Sequence, residues 1–499
     1  MKEIKPQREP IRENEILLKD GDRWLHFVDP YYLISVYTLD GVLSALREVE
    51  QRVEEKGWHA AGFLSYEAAS AFDPDLPTHP SEQHIPDFPY LWFGLYPAPE
   101  PVTLPEPNTH PGAFDWIPTV AQEDYHAAVE RIRHHIAAGQ TYQVNYTMRL
   151  ETSFPGETWD FFLSLAQHQN RQAAYLDTGR HVICSASPEL FFQLDGDLLT
   201  CRPMKGTTRR GRTTAEDEER AQWLKHSEKN RAENVMIVDM VRNDLGRVAE
   251  TGSVHVSELF QTERYPTLWQ MTSTVTARTQ ASIPEIFAAL FPCASITGAP
   301  KVSTMRIIAR LENTPRKIYT GSIGYLAPGR QAKFNVAIRT VLIDRKRQKA
   351  EYGVGGGIVW DSTGPDEYAE ALLKARVLTE RSASFSLIET MLWTPEGGFF
   401  LRENHIARML DSARYFDIPM TRGKLEDYIE QLASAFDAPR RVRVLLDQGG
   451  NLESESAVYD LADGDPGLSA CLAQQPVDSK NVFLYHKTTR REVYEAARA

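Results

Sequence analysis

Phe191-Phe192-Gln193-Leu194-Asp195-Gly196-Asp197-Leu198-Leu199-Thr200-Cys201 is two apolar runs joined by Asp-Gly, a dipeptide suited to the positive backbone angles of a tight hairpin turn. Folding the chain there brings Glu189, in Ser187-Pro188-Glu189, to the same open end as Lys205, in Pro203-Met204-Lys205-Gly206-Thr207-Thr208-Arg209-Arg210-Gly211. Their offset of a few residues is roughly 10 Å at ~3.3 Å rise per residue, room for a six-membered ring. An amine and a carboxylic acid facing one gap point to covalent chemistry, on condition that part of the amine is unprotonated. Arg209, Arg210 or a metal ion would supply that condition by raising the cost of another positive charge. Read in isolation, the same run is a solvated basic loop, so the decision rests on the rest of the chain.

Outward from the hairpin, Tyr142-Gln143-Val144-Asn145-Tyr146-Thr147-Met148-Arg149-Leu150 alternates strictly. That pattern predicts a strand with Tyr142, Val144, Tyr146, Met148 and Leu150 on one face and Gln143 and Asn145 on the polar one. Before it, Tyr125, Val129, Ile132 and Ile136 recur at helical spacing up to a capping Gly139. Farther on, Ser227-Glu228-Lys229-Asn230-Arg231-Ala232-Glu233-Asn234 leads into Val235-Met236-Ile237-Val238, a helix that becomes buried as it proceeds. Glu233 shares a face with Ile237 and Met240, and a carboxylate entering a core needs a partner. A second acidic helix begins near Pro365, with Glu367 and Glu370 projecting from one side. Just before it, Gly353-Val354-Gly355-Gly356-Gly357-Ile358 offers backbone amides to a carboxylate, or is a glycine-rich bulge in a strand. It fits neither phosphate-binding glycine pattern.

The 499 residues, 42% of them hydrophobic, suffice for more than one folding unit. Acidic side chains outnumber basic ones 68 to 55 and no long Lys/Arg tract interrupts them, which disfavours nucleic acid or an anionic membrane as partner. Cys184, Cys201, Cys293 and Cys471 lack Cys-x-x-Cys spacing, so neither a zinc cage nor a disulfide framework is expected. A polar N-terminus and the lack of any 18-residue apolar run predict a cytoplasmic protein. The proline-dense stretch from Tyr96 to Pro111 reads as an extended connector.

Seven ordered motifs resemble the chorismate-utilising enzymes: Tyr142-Gln143-Val144-Asn145, Ser187-Pro188-Glu189, the Lys205 loop, Arg231-Ala232-Glu233-Asn234, Arg242-Asn243-Asp244, Ser295-Ile296-Thr297-Gly298-Ala299-Pro300-Lys301 and Gly355-Gly356-Gly357-Ile358. The resemblance implies a mixed α/β (α+β) fold of two packed, largely antiparallel sheets with outer helices. It also implies a division into 1–118, the N-terminal part of that fold, and 119–380, its chorismate-binding core. Lysine at position 205, where anthranilate-forming relatives carry alanine, implies amination of chorismate to 4-amino-4-deoxychorismate on the route to 4-aminobenzoate and folate. Lys205 would add to C2 as the 4-hydroxyl leaves, Glu189 would protonate that hydroxyl, and ammonia from a separate glutamine amidotransferase subunit would attack C4 and expel the lysine from C2. Glu233 and Glu370, with Glu367 one turn away, match magnesium ligands, and hard oxygen donors suit that ion. Arg339, Gly355, Gly356, Gln143 and Thr297 match substrate-binding positions, and Gln143 in place of a basic lysine argues against adding water at C2. Gln270 stands where many relatives carry histidine. The competing readings are ortho amination to anthranilate, which is indifferent to Lys205→Ala, and a non-catalytic subunit that binds the amidotransferase.

From about residue 384 the sequence starts afresh with Phe385-Ser386-Leu387-Ile388-Glu389-Thr390-Met391 and a helix holding His405-Ile406-Ala407-Arg408-Met409. Residues 384–499 resemble the first part of fold-type IV pyridoxal-phosphate enzymes, an incomplete α+β domain in which Arg408 would contact the cofactor phosphate and Lys487 would form the Schiff base. With half of that fold missing from the sequence, pyridoxal phosphate binding and lyase activity are not expected.

Overall fold

A computed structural model describes residues 5–6, 10–79, 87–105, 114–168, 172–378, 385–459 and 476–496. The chain forms two compact units: 1–207, 227–265 and 270–382 make the first, and 208–226, 266–269 and 383–499 the second. The sequence motifs mark a break near 384, yet two short stretches inside the chorismate-like span belong to the second unit.

The first unit is built on two large, mostly antiparallel sheets of eleven and ten strands, with one short parallel pair where Lys5–Pro6 meets Glu100–Thr103. Their inner faces meet through Ile16, Leu18, Phe27 and Leu176 of one sheet and Phe63, Trp92, Tyr96 and Ile323 of the other. Helices cover both outer faces. Leu39–Lys56, Glu228–Gly246 and Ile283–Leu290 pack on the ten-stranded sheet, and Gln122–Ala137, Thr158–His168 and Gly364–Lys374 on the other. The expected fold class holds.

The hairpin forms as the turn chemistry dictates: Leu190–Asp195 pairs with Leu198–Arg202, Asp195 opposite Leu198, and Gly196 takes φ +61°. The alternating stretch is the strand Gln143–Ser153, whose Val144, Tyr146, Met148 and Leu150 enter the core. Tyr142 departs from the expectation. It precedes the strand, its N–H donates to Ala299 O at 2.7 Å, and the residue is 71% exposed. The glycine run lies in the strand Lys349–Ile358, which pairs with Gln143–Ser153 along its whole length, Gly357 opposite Asn145 and Gly355 opposite Thr147. Its pairing with Thr340–Asp344 stops at Tyr352, so one edge of the glycine segment stays open. The proline-dense connector pairs where it is described, Glu100–Thr103 lying on Arg23–Phe27, while residues 106–113 lie outside the described ones.

Beneath the site, Arg316 is fully buried and binds Glu312 through two nitrogens at 2.7 and 2.9 Å. It also donates to Asn145 O at 2.8 Å and Ile296 O at 3.0 Å, joining the Gln143 strand to the Ser295–Thr297 turn. Removing one partner of a buried ion pair leaves the other desolvated, so Arg316→Met should cost about 3–5 kcal/mol, read as a lower urea midpoint for the first unit.

In the second unit a four-stranded antiparallel sheet runs Gly398–Phe399, Leu387–Thr394, Arg440–Leu446, Leu452–Val458. Helices Arg402–Tyr415 and Arg422–Ser434 supply Ile406, Met409, Leu425 and Ile429 to its core. Among the described residues no helix is long and apolar enough to cross a membrane. Cys184, Cys201 and Cys293 are free and buried, and Cys471 lies outside the described residues.

Candidate active site

Glu189 ends the turn before its hairpin strand and is 3% exposed. Its carboxylate Oε1 accepts from Ser295 Oγ at 2.6 Å, and its carbonyl accepts from Val336 N–H at 3.1 Å. Burial pushes its carboxyl up to about 7; the Ser295 hydroxyl and the charges of Lys205 and Arg339 oppose that rise without cancelling it. Across the gap, Lys205 sits in the strand Met204–Arg209. Burial lowers the pKa of its amine, an adjacent ammonium on Lys374 assists, and the carboxylates of Glu233, Glu189 and Glu370 pull the other way. Among the described residues no hydrogen bond holds this amine.

The floor is the glycine strand. A Cβ on Gly357 would stand 2.5 Å from Gln143 Nε2 and 3.0 Å from Lys205 Nζ, so only glycine lets both side chains reach this place. Gln143 Nε2 is buried without an acceptor, and so is one terminal nitrogen of Arg339. A buried donor without a partner is costly unless a ligand completes it. Arg339, at φ +52°, lies within the electrostatic reach of Glu189, and burial lowers its pKa. Two orphaned donors, a half-buried amine and a protonatable acid therefore lie near one another, a combination suited to an anionic ring with a leaving hydroxyl.

On the helix Gly364–Lys374, Glu367 and Glu370 lie beside Gly356, their nearest oxygens 3.2 and 4.0 Å from a Cβ built there. Glu367 accepts from Ser362 Oγ at 2.6 Å and burial raises its pKa. Glu370 is held below its ordinary value by Lys374, whose Nζ donates to it at 2.8 Å and to Gly355 O at 2.8 Å. An ammonium thus stands in among hard oxygen donors, and a donor set of that kind suits magnesium. As the side chains stand, no three His, Cys, Asp or Glu among the described residues are close enough together to hold a metal ion. Glu233 lies half-buried on the helix Glu228–Gly246, within electrostatic reach of Lys205. Thr297 is fully buried and its hydroxyl donates to Cys293 O and Ala294 O, so it shapes the turn that delivers Ser295.

Sequence reading gave no role to Ser295 or Lys374. The second was visible as a lysine four residues after Glu370 on one helix face; nothing in the sequence marks Ser295 as the partner of Glu189.

In the second unit, Arg408 and Lys487 do come together, on Glu389. That carboxylate is 3% exposed in its side chain and accepts from two Arg408 nitrogens at 2.6 Å, from Lys487 Nζ at 3.4 Å and from His405 Nδ1 at 2.7 Å. Burial alone would raise its pKa, but Arg408 and His405 hold it below the ordinary value. Both cations are engaged by an internal anion, so as the side chains stand neither is free for a phosphorylated cofactor.

The family profile of chorismate binding enzymes matches residues 13–380, and the chain belongs to that family. A class IV amino-transferase profile matches residues 386–499. Among curated relatives, an aminodeoxychorismate synthase of Streptomyces griseus is 36% identical over 72% of this chain and 46% of its own length. Component 1 of aminodeoxychorismate synthase from Bacillus subtilis (strain 168) is 40% identical over 54% of this chain and 58% of its own. The same component from Escherichia coli (strain K12) is 39% identical over 53% and 59%. The chain thus spans about half the length of these relatives. Among solved structures, anthranilate synthase component I from Streptococcus pneumoniae TIGR4 is 25% identical at a TM-score of 0.62, covering 76% of this chain and 95% of its own. The isochorismate synthase MenF from Escherichia coli, 18% identical over 75% of this chain and 93% of its own, shares the fold at a TM-score of 0.58.

Proposed function

We propose that this chain is an aminodeoxychorismate synthase component that aminates chorismate at C4. The observation that carries this reading is the half-buried amine of Lys205, its pKa lowered by desolvation, near a carboxyl of Glu189 whose pKa lies at about 7. The Lys205 Nζ lone pair attacks C2, both ring double bonds shift by one position, and the 4-hydroxyl leaves as water with the proton of Glu189. Ammonia then bonds to C4, the electrons return, and the C2–N bond breaks to release the amine. Gln143 Nε2 and the Arg339 guanidinium supply donors for oxygens of the substrate, the guanidinium in bidentate fashion for a carboxylate. The open backbone edge at Gly355 and Gly356 faces the same ligand, and Thr297 holds the turn behind Glu189.

Glu233, Glu370 and Glu367 would hold magnesium once Lys374 gives way, and the ion would neutralise the ring carboxylate there. Binding of manganese, a paramagnetic substitute, is expected to weaken about tenfold in Glu370→Gln when followed by electron paramagnetic resonance; unchanged affinity would remove that carboxylate from the ligand set.

The component 1 naming of the relatives supports a partner component; we take it to be a glutamine amidotransferase that supplies ammonia, for which a cytoplasmic location is suited. The functional boundaries we adopt are 1–118, 119–380 and 384–499. Incubation of the purified chain with chorismate, magnesium and ammonium should yield the para-aminated product by chromatography and mass analysis. Fluorescent anthranilate in its place, or untouched chorismate, would refute the reading.

A further inference from the structure

We propose that Gln270 is a positioning residue for Lys205, acting through the backbone that carries the nucleophile; the inference rests on the role assigned to Lys205 above. The lysine side chain has four flexible carbons and no hydrogen bond of its own among the described residues, so the place of its amine depends on how firmly its own peptide is held.

Three carbonyls around it are gripped from two elements. Ser273 N–H, on the strand Leu268–Arg278, donates to Pro203 O at 3.1 Å. Asn234 Nδ2, on the helix Glu228–Gly246, reaches Lys205 O at 3.4 Å, and its own Oδ1 is fixed by Ser273 Oγ at 2.6 Å. Gln270 Nε2 donates to Gly206 O at 2.9 Å, the shortest of the three contacts.

Gly206 is the weak point that needs such a partner. Its φ of +95° is a conformation that a side chain would strain, and a Cβ there would meet Asn230 at 3.0 Å. Glycine has more backbone freedom than any other residue, and the Gln270 contact adds a side-chain tether to the pairing of its strand with Leu268–Arg278. Gln270 is 7% exposed, no hydrogen bond joins its amide to Glu189 among the described residues, and its reach to Gly206 O bears on the direction in which the preceding residue projects. A displacement of about 1 Å at a reacting atom costs up to roughly 100-fold in rate, so one tether at this peptide is enough to govern turnover.

The test uses the full chain with Gln270→Met, which keeps the length and loses the donor, and Gln270→His, whose ring N–H can donate to the same carbonyl. Gln270→Met should lower kcat about tenfold while chorismate KM stays within about twofold. Without chorismate present, acylation of the Lys205 amine by succinimidyl acetate, followed by peptide mass analysis, should speed up about threefold or more as the loosened strand further exposes a half-buried group. Gln270→His should return both quantities towards wild type. Labelling at the wild-type rate in Gln270→Met overturns the proposal, as does a rise in KM alone. If wild type fails to aminate chorismate, the labelling arm still decides on the tether, so failure of the functional reading and failure of this inference remain separable.

Discussion

Lys205→Ala is expected to reduce chorismate amination by about 1,000-fold or more, equivalent to about 4 kcal/mol of barrier, while chorismate affinity changes by less than about threefold. The loss follows from what remains: Glu189 can still protonate the hydroxyl, and Gln143 and Arg339 can still hold the ring, but no group is left to bond to C2. Lys205→Arg should fare no better, because a guanidinium keeps its proton near neutral pH and offers no lone pair. Steady-state rates of para product with ammonium, beside calorimetric binding of chorismate, separate the two quantities. Retention of more than a tenth of the wild-type rate in either variant would contradict a covalent role.

Glu189→Gln should lower kcat by roughly 100- to 10,000-fold, the range for a positioned general acid. It should also remove the alkaline limb of the pH profile. In wild type the protonated fraction of Glu189 halves near pH 7 and falls about tenfold per unit above it. The same carboxyl affects stability. Its folded-state pKa lies above its ordinary value of 4.5, so its contribution is fully present below that pH and is lost as pH rises through about 7. The glutamine variant does not titrate, so its melting temperature should gain on wild type between pH 5 and pH 8. A parallel pH profile in the two proteins would place the acid elsewhere.

Much of this architecture is legible in local pattern. The Asp195-Gly196 turn, the alternation from Val144 to Leu150 and the i,i+3 pair Glu367 and Glu370 each state a geometry that the structure adopts, because turn angles, strand pleat and helical pitch depend on neighbouring residues alone. What stayed hidden depends on contacts across long stretches of chain. Ser295 meets Glu189 from 106 positions away, and Gln270 meets Gly206 from 64. Arg316 links Glu67, Asn145 and Ile296 through a buried network that no periodicity announces. The exposure of Tyr142 goes with a strand that begins one residue later, at Gln143, a boundary the alternating pattern does not encode.

The most direct test of the central claim is acid quenching of the protein during reaction with chorismate and magnesium in the absence of ammonium, followed by peptide mapping. The account predicts a peptide containing Lys205 that carries the mass of chorismate less water and disappears when ammonium is added before the quench. An unmodified Lys205 in a protein that goes on to make the para-aminated product at full rate would contradict it.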